Sequence, residues 1–241
     1  MKESNSCTHC GNSLCIQKVP IFSPLSNEDL LKIARWIEHR EFKKGETLFH
    51  LGDKVDSIII VNEGSTKAYK YTAEGREQIL YIFSEGDFFG EQYLFGELKA
   101  GYTVEALEPL KVCMLSKLQF RHLLSLYPDI GVKIIEELGI RMSRLENTLQ
   151  SLGVRSVDAR ISALLLDFSV KYGTREEEGI LVRLPLSREG IANYLGIARE
   201  TVSRKLVQLE GDGLIRSISN KMLLILREEA LREIADLQQN Q

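Results

Sequence analysis

The sequence predicts an α+β chain: an antiparallel β-roll of jelly-roll type, one long helix, and a C-terminal domain of short helices with a β-hairpin. Three observations predict it. From Phe42 to Leu115, short β-type runs recur between glycines at a spacing of roughly 8–12 residues. After Pro128 the apolar period becomes helical. Beyond Ser156, two short amphipathic helices flank Gly196 and lead into a hairpin. With 241 residues and 44% hydrophobic content, the chain has enough apolar material for packed cores.

The elements follow in order. Residues 1–19 form a polar segment with Gly11 and Asn12 that cannot build a core of its own, and it carries Cys7, Cys10 and Cys15. Residues 20–127 form the β-roll domain. It opens after Pro20 with a helix capped by Ser26, with Asp29 three residues on and Leu30, Leu31, Ile33, Ala34 and Ile37 as its apolar side. The predicted strands are Leu48-Phe49, residues 57–61, 67–71, 78–83, 102–106 and 110–115, with a hairpin turn at Thr72-Ala73-Glu74-Gly75. No helix-length pattern interrupts them, which argues against βαβ units.

Residues 128–155 form the long helix. Ile135, Leu138, Met142, Leu145, Leu149 and Leu152 follow one another at spacings of 3, 4, 3, 4 and 3, the pattern of a heptad seam. Glu136, Arg141, Arg144 and Glu146 suit a solvated flank. The preferred reading is the seam of a stable homodimer; the alternative is a helix packed on its own β-domain. Residues 156–241 form the last domain. It starts with an amphipathic helix from Val157 to Lys171 bearing Ile161, Leu164, Leu165 and Phe168. A loop at 173–179 and a short strand at Ile180–Leu184 follow.

Residues 187–206 carry the most specific local signal. Ser187 caps a helix with Ile191, Ala192 and Leu195 inward, Gly196 supplies a tight turn, and a second helix buries Val202, Leu206 and Leu209. Arg199, Glu200, Ser203 and Arg204 are left on the opposite face, at the end with which a recognition helix enters the major groove. Arginine bonds guanine in bidentate fashion and glutamate accepts from cytosine N4. Lys205, Ser187, Arg188 and Lys221 complete the candidate DNA-contacting set. Ala198, in contrast, is a poor N-cap for the second helix. Residues 214–218 and 222–226 then read as a hairpin wing. Residues 183–221 hold seven Lys/Arg against four acids, while the whole chain carries −3, so any DNA contact is confined to this footprint.

These motifs together resemble the CRP/FNR family of bacterial transcription regulators over nearly the whole chain. Residues 44–53, Val61-Asn62-Glu63-Gly64 and residues 86–91 resemble the glycine framework of its cyclic-nucleotide-type β-roll. The seam helix resembles its dimerisation helix, and Arg199-Glu200-Thr201-Val202-Ser203-Arg204 resembles its recognition helix. The resemblance implies a homodimer on palindromic double-stranded DNA with TGA-containing half-sites, working with RNA polymerase. Members that bind cyclic AMP carry an arginine for the phosphate; residues 95–103 here hold none, and Lys99 is a poor substitute, which argues against cyclic AMP.

The oxygen-sensing FNR branch has three N-terminal cysteines and a fourth in a late strand. Cys7, Cys10, Cys15 and Cys113, all the cysteine the chain has, match that layout, with the second gap one residue shorter. The resemblance thus implies a 4Fe–4S cluster on these four as metal ligands. A reversible thiol–disulfide switch and a zinc site remain open alternatives. Haem through His9, His39, His50 or His122 has no supporting pattern. A cyclic-nucleotide module regulating another protein would share the roll but leave the helix-turn-helix unexplained. No Gly-rich phosphate loop, His-Glu-x-x-His or Gly-x-Ser-x-Gly supports an enzyme. Without an apolar leader or an 18-residue apolar run, the expectation is a cytoplasmic protein that does not enter membranes.

Overall fold

The computed structural model describes residues 15–93, 98–154 and 156–236. These divide into two compact units that meet on the chain between Met142 and Ser143, the turn Thr72–Gln78 grouping with the second.

The first unit begins with 3₁₀ turns at Cys15–Lys18 and Pro20–Phe22. Helix α1 (Asn27–Ala34) then starts at Ser26, whose hydroxyl accepts the Asp29 N–H at 3.2 Å, as the cap pattern predicts. Eight strands follow: β1 (Glu38–Phe42), β2 (Thr47–Phe49), β3 (Ser57–Glu63), β4 (Ser65–Tyr71), β5 (Glu77–Ser84), β6 (Phe88–Phe89), β7 (Thr103–Ala106) and β8 (Leu110–Ser116). They make two four-stranded sheets, β1-β8-β3-β6 and β2-β7-β4-β5, so the predicted antiparallel roll is present. Helices α2 (Lys117–Leu126) and α3 (Asp129–Val154) complete the sequence of elements to the linker.

Strands β3 and β8 are buried on both faces. Ile59, Val61 and Val112 pack between the sheets with Ala68, Phe89 and Val104. Ile58, Ile60, Cys113 and Leu115 point the other way, into a second apolar cluster formed with Ile16, Val19, Ile21, Phe22, α1, α2 and the start of α3. Double burial explains why these strands read as continuous apolar runs and not as alternations.

Strand β6 and a C-terminal helix at Glu228–Asp236 go beyond the sequence expectation, and three further differences have a plain physical reason. Strand β1 is Glu-His-Arg-Glu-Phe, with mostly exposed side chains, so it carries no apolar signal and forms by backbone pairing with β8. Helix α2 follows the last predicted strand, where the sequence reading names no element. It is nucleated by a capping box in which Ser116 and Gln119 satisfy each other's backbone N–H groups, and it buries only Phe120 and Leu123. The loop at 173–179 begins as a strand, described next.

The second unit comprises α4 (Val157–Tyr172), β9 (Gly173–Glu176), β10 (Gly179–Arg183), α5 (Arg188–Leu195), α6 (Arg199–Gly211), β11 (Ile215–Ser219), β12 (Met222–Ile225) and α7 (Glu228–Asp236). One sheet runs β11-β12-β10-β9. Strand β9 is an edge strand whose Thr174, Arg175 and Glu176 all face solvent, which is why it read as a loop. Ile161, Leu164, Leu165 and Phe168 of α4 are buried as expected.

Two outcomes follow from this packing. At Gly90 φ is +94° and a Cβ would stand 2.6 Å from the Ser57 carbonyl oxygen, whereas Gly75, at φ +76°, has open space around it. Gly90→Ala should therefore cost about 3 kcal/mol and Gly75→Ala about 1 kcal/mol. Urea titration followed through Trp36, the single tryptophan, measures both. The second concerns Asp29, whose carboxyl is held down to about 2 by the Tyr127 hydroxyl first, then by Ser26 and Lys32. A depressed carboxylate stabilises fully above its ordinary value of 3.8, and the contribution disappears as pH falls from there toward about 2. Asp29→Asn should flatten that part of the acid transition in the same fluorescence signal.

Candidate nucleic-acid interface and thiol site

Helix α5 begins at Ser187, whose hydroxyl accepts the Gly190 N–H at 3.1 Å. It ends at Gly196 in the left-handed conformation, φ 64°, where a side chain would be strained. The Arg160 guanidinium, its pKa lowered by burial, donates to the Leu195 carbonyl and closes that end. The turn delivers α6, whose N-cap Ala198 makes no side-chain hydrogen bond. Val202, Leu206 and Leu209 face the interior; Arg199, Glu200 and Arg204 are exposed and Ser203 is half-buried. The side chains predicted to face DNA are therefore on one accessible face.

The charges of this region fall into two groups. Lys205 reaches Asp158 of α4 at 2.7 Å and sits partly buried, where it ties α6 to α4. Arg216 pairs with Glu178 at 2.5 Å across the wing. Glu210, near the end of α6, accepts the backbone N–H of Ser217 at 2.8 Å and its hydroxyl at 3.0 Å. Those bonds lower its pKa and fasten the wing to the helix. Arg199 and Arg204, in contrast, are in no ion pair among the described residues. Arg188 is half-buried, and its charge acts on Glu210. Lys221 is exposed at the wing turn, and its carbonyl accepts from Leu184 N–H at 2.8 Å. Sequence reasoning named Lys205 for DNA and missed Asp158 and Glu210, whose partners lie 47 and 7 residues away.

Of the four cysteines, Cys7 and Cys10 lie outside the described residues. Cys15 opens the first 3₁₀ turn, its side chain outside the description. Cys113 is 1% exposed on β8, opposite His39 of β1, with Sγ and Nδ1 3.5 Å apart. Nothing in the sequence pointed to His39; only the β1–β8 register brings it there. Among the described residues no three His, Cys, Asp or Glu side chains gather as a metal site. The thiol of Cys113 itself faces the apolar cluster. Its face of the sheet is covered by Ile16 and Val19, so the chain leaving Cys15 is packed into the cluster to which Cys113 belongs.

On α3, Ile135, Leu138, Met142 and Leu145 are exposed, Ile135 by 70%. Leu149 and Leu152 belong to the same helix, their side chains outside the description. The flank assignment needs one correction: Arg141 is not solvated. It is drawn toward the roll, where Nη1 meets Glu91 Oε1 at 2.7 Å and Nη2 donates to the Phe88 carbonyl at 2.6 Å. A buried acid 50 residues upstream gives no local pattern from which this could be read. Within residues 95–103, where a phosphate partner would stand, 95–97 lie outside the described residues and Lys99 is exposed.

Two family models match: the cyclic nucleotide-binding domain over residues 39–127 and the Crp-like helix-turn-helix domain over residues 159–234. The nitrogen fixation regulation protein FixK of Bradyrhizobium diazoefficiens is 32% identical, over 92% of this chain and 94% of its own. The fumarate and nitrate reduction regulatory protein of Vibrio cholerae is 27% identical, over 97% of this chain and 93% of its own. The structure of TTHB099, a CRP-family transcriptional regulator from Thermus thermophilus, superimposes with a TM-score of 0.68 at 27% identity, covering 81% of this chain and 96% of that one. No helix among the described residues is long and apolar enough to cross a membrane. With its roll, its helix-turn-helix and wing, and relatives that match along almost their full length, the chain belongs to the CRP/FNR family of DNA-binding transcription regulators.

Proposed function

We propose that this regulator is a cytoplasmic homodimer that reads palindromic DNA with TGA-containing half-sites, and that oxygen or redox state controls it through Cys7, Cys10, Cys15 and Cys113. The observation that carries the redox reading is the face on which Cys113 lies. Period-2 alternation points its thiol away from the interior of the roll and into the cluster sealed by Ile16, Val19, Ile21 and Phe22. Those residues directly follow Cys15 in sequence. They anchor the cysteine-bearing segment on the strand that holds the fourth thiol. The similarity to the fumarate and nitrate reduction regulatory protein over 97% of the chain supports the same branch.

Four soft thiolates in this arrangement suit a 4Fe–4S cluster, which supplies an oxygen-labile, redox-active centre when bound. The chain's own contribution is to keep one donor buried and dry while the other three arrive on a short polar segment. The dimer reading rests on Ile135, Leu138, Met142 and Leu145, a row of exposed apolar side chains at heptad spacing on α3. The DNA reading rests on Arg199, Glu200, Ser203 and Arg204. RNA polymerase is the expected partner at the promoter.

Two measurements test the reading. Protein purified without air should contain about four iron and four sulfide per chain and lose its visible absorbance in air. Cys113→Ser should prevent assembly while leaving the fold, read from Trp36 fluorescence, in place. Stoichiometric zinc, or a metal-free chain with a reversible disulfide, would replace the cluster assignment by one of the alternatives. For DNA, Arg204→Ala should weaken binding to a TGA-containing palindrome by roughly ten- to a hundredfold in a gel shift, since one bidentate base contact is lost. Unchanged affinity would remove Arg204 from the reading set.

A further inference from the structure

A buried ion pair of the first unit lies away from Cys113. Glu91 stands at the start of a 3₁₀ turn (Glu91–Tyr93), directly after Gly90, whose left-handed backbone turns the chain inward against Ser57. Its side chain is 6% exposed. Oε1 is paired with Arg141, and Oε2 is buried with no hydrogen bond among the described residues. Arg141 is gripped on three sides: by that carboxylate, by the Phe88 carbonyl, and by the Phe88 ring, whose centroid is 4.6 Å from the guanidinium carbon. Burial pushes the Glu91 carboxyl up, and Arg141 draws it back down. A buried carboxylate with one satisfied oxygen holds its single partner firmly, because loss of that partner leaves the charge unpaired in an apolar surround.

The position of Arg141 along α3 gives the pair a consequence beyond packing. Ile130 and Ile134 are buried in the cluster that also holds Cys113. Arg141 lies seven residues after Ile134, two helical turns on, and continues the same face toward the roll. The exposed row Ile135, Leu138, Met142 and Leu145 is centred roughly 80° around the helix from Arg141, at about 100° per residue. A rotation of one residue would turn that row into the roll and move Arg141 away from Glu91.

We propose that Arg141 is a positioning residue: its pairing with the buried carboxylate of Glu91 sets the rotation of α3 on the β-roll and so decides which face of α3 is offered to a second copy of the chain. The proposal deepens the dimer reading and rests on it. Arg141 continues the face that Ile130 and Ile134 bury, and its guanidinium makes two directed bonds that no apolar residue could replace. A planar fork fixes an angle, which apolar contacts alone leave adjustable.

The test uses the full chain and three variants. Sedimentation gives the dimer dissociation constant, and hydrogen exchange follows amides 129–142. Arg141→Met should weaken dimerisation roughly tenfold or more and speed exchange along α3, with the Trp36 signal of a folded roll retained. Glu91→Gln keeps an acceptor for Arg141 and should dimerise within roughly threefold of the parent. If Arg141→Met does not fold, Arg141→Lys, which keeps the charge without the two-handed bond, takes its place with the same expectation. Dimerisation of the tested Arg141 variant equal to the parent overturns the proposal. A monomeric parent would defeat the dimer reading. In that case exchange along α3 decides alone: faster in the variant supports the rotational role, and unchanged overturns it.

Discussion

Burial of β3 and β8 on both faces is the constraint on which the first unit depends. A strand that faces solvent on one side tolerates some slack in its register, because only half its side chains are committed. The central residues of these two strands are committed on both faces. Ile58 and Ile60 go to one core, Ile59 and Val61 to the other, with Val112 and Cys113 divided in the same way. A slip of one residue would exchange the two sets and put the thiol between the sheets. The register that prevents this also brings His39 opposite Cys113 on one side and Ile60 opposite it on the other. One sheet therefore separates two compartments. The interior of the roll holds Tyr93, Tyr102 and Phe49; the outer face holds the thiol, the segment after Cys15 and the first turns of α3.

That division changes what the two polar landmarks of the unit can do. Cys113 shares its cluster with Ile130 and Ile134, so the thiol face and the root of the long helix are packed as one body. Glu91 meets the same helix two turns later, through Arg141. Helix α3 is thus gripped at its root by apolar contacts on the outer face and further along by a directed ion pair. Apolar packing permits small rotations at little cost, whereas a buried fork-and-carboxylate bond does not. The two attachments together define a rotation, which neither does alone.

Local patterns made much of this architecture legible. The helix-turn-helix could be read from Ser187, Gly196 and the inward row Val202, Leu206 and Leu209, because caps, turns and 3.6-residue periods are encoded within a few residues. The roll could be read from apolar runs between glycines. What escaped was whatever is decided by a distant partner. Strand β1 has no apolar signature and exists because β8 offers a free edge. Helix α2 buries two side chains and owes its start to a reciprocal cap. Arg141 read as a surface charge because its acid lies 50 residues away. The same holds for His39, brought to Cys113 by a register that no local rule fixes, and for Lys205, which sequence alone assigns to DNA and the fold gives to Asp158.

The case of Lys205 bears on how the second unit discriminates. A basic surplus by itself attracts any DNA, since counterion release depends on charge and not on sequence. In this unit much of the formal surplus is internally compensated: Lys205 by Asp158, Arg216 by Glu178, and the field near Arg188 by Glu210. The first brace ties α6 to α4, the second ties β11 to the β9–β10 turn, and Glu210 also fastens the wing to α6 through Ser217. Arg199 and Arg204, in no ion pair among the described residues, stand at the exposed N-terminal turns of the helix. On the proposed DNA reading, those pairings would lessen non-specific attraction and leave Arg199 and Arg204 as directional donors on the exposed turns of α6. Specificity is a difference between two affinities, and this arrangement widens it from both sides.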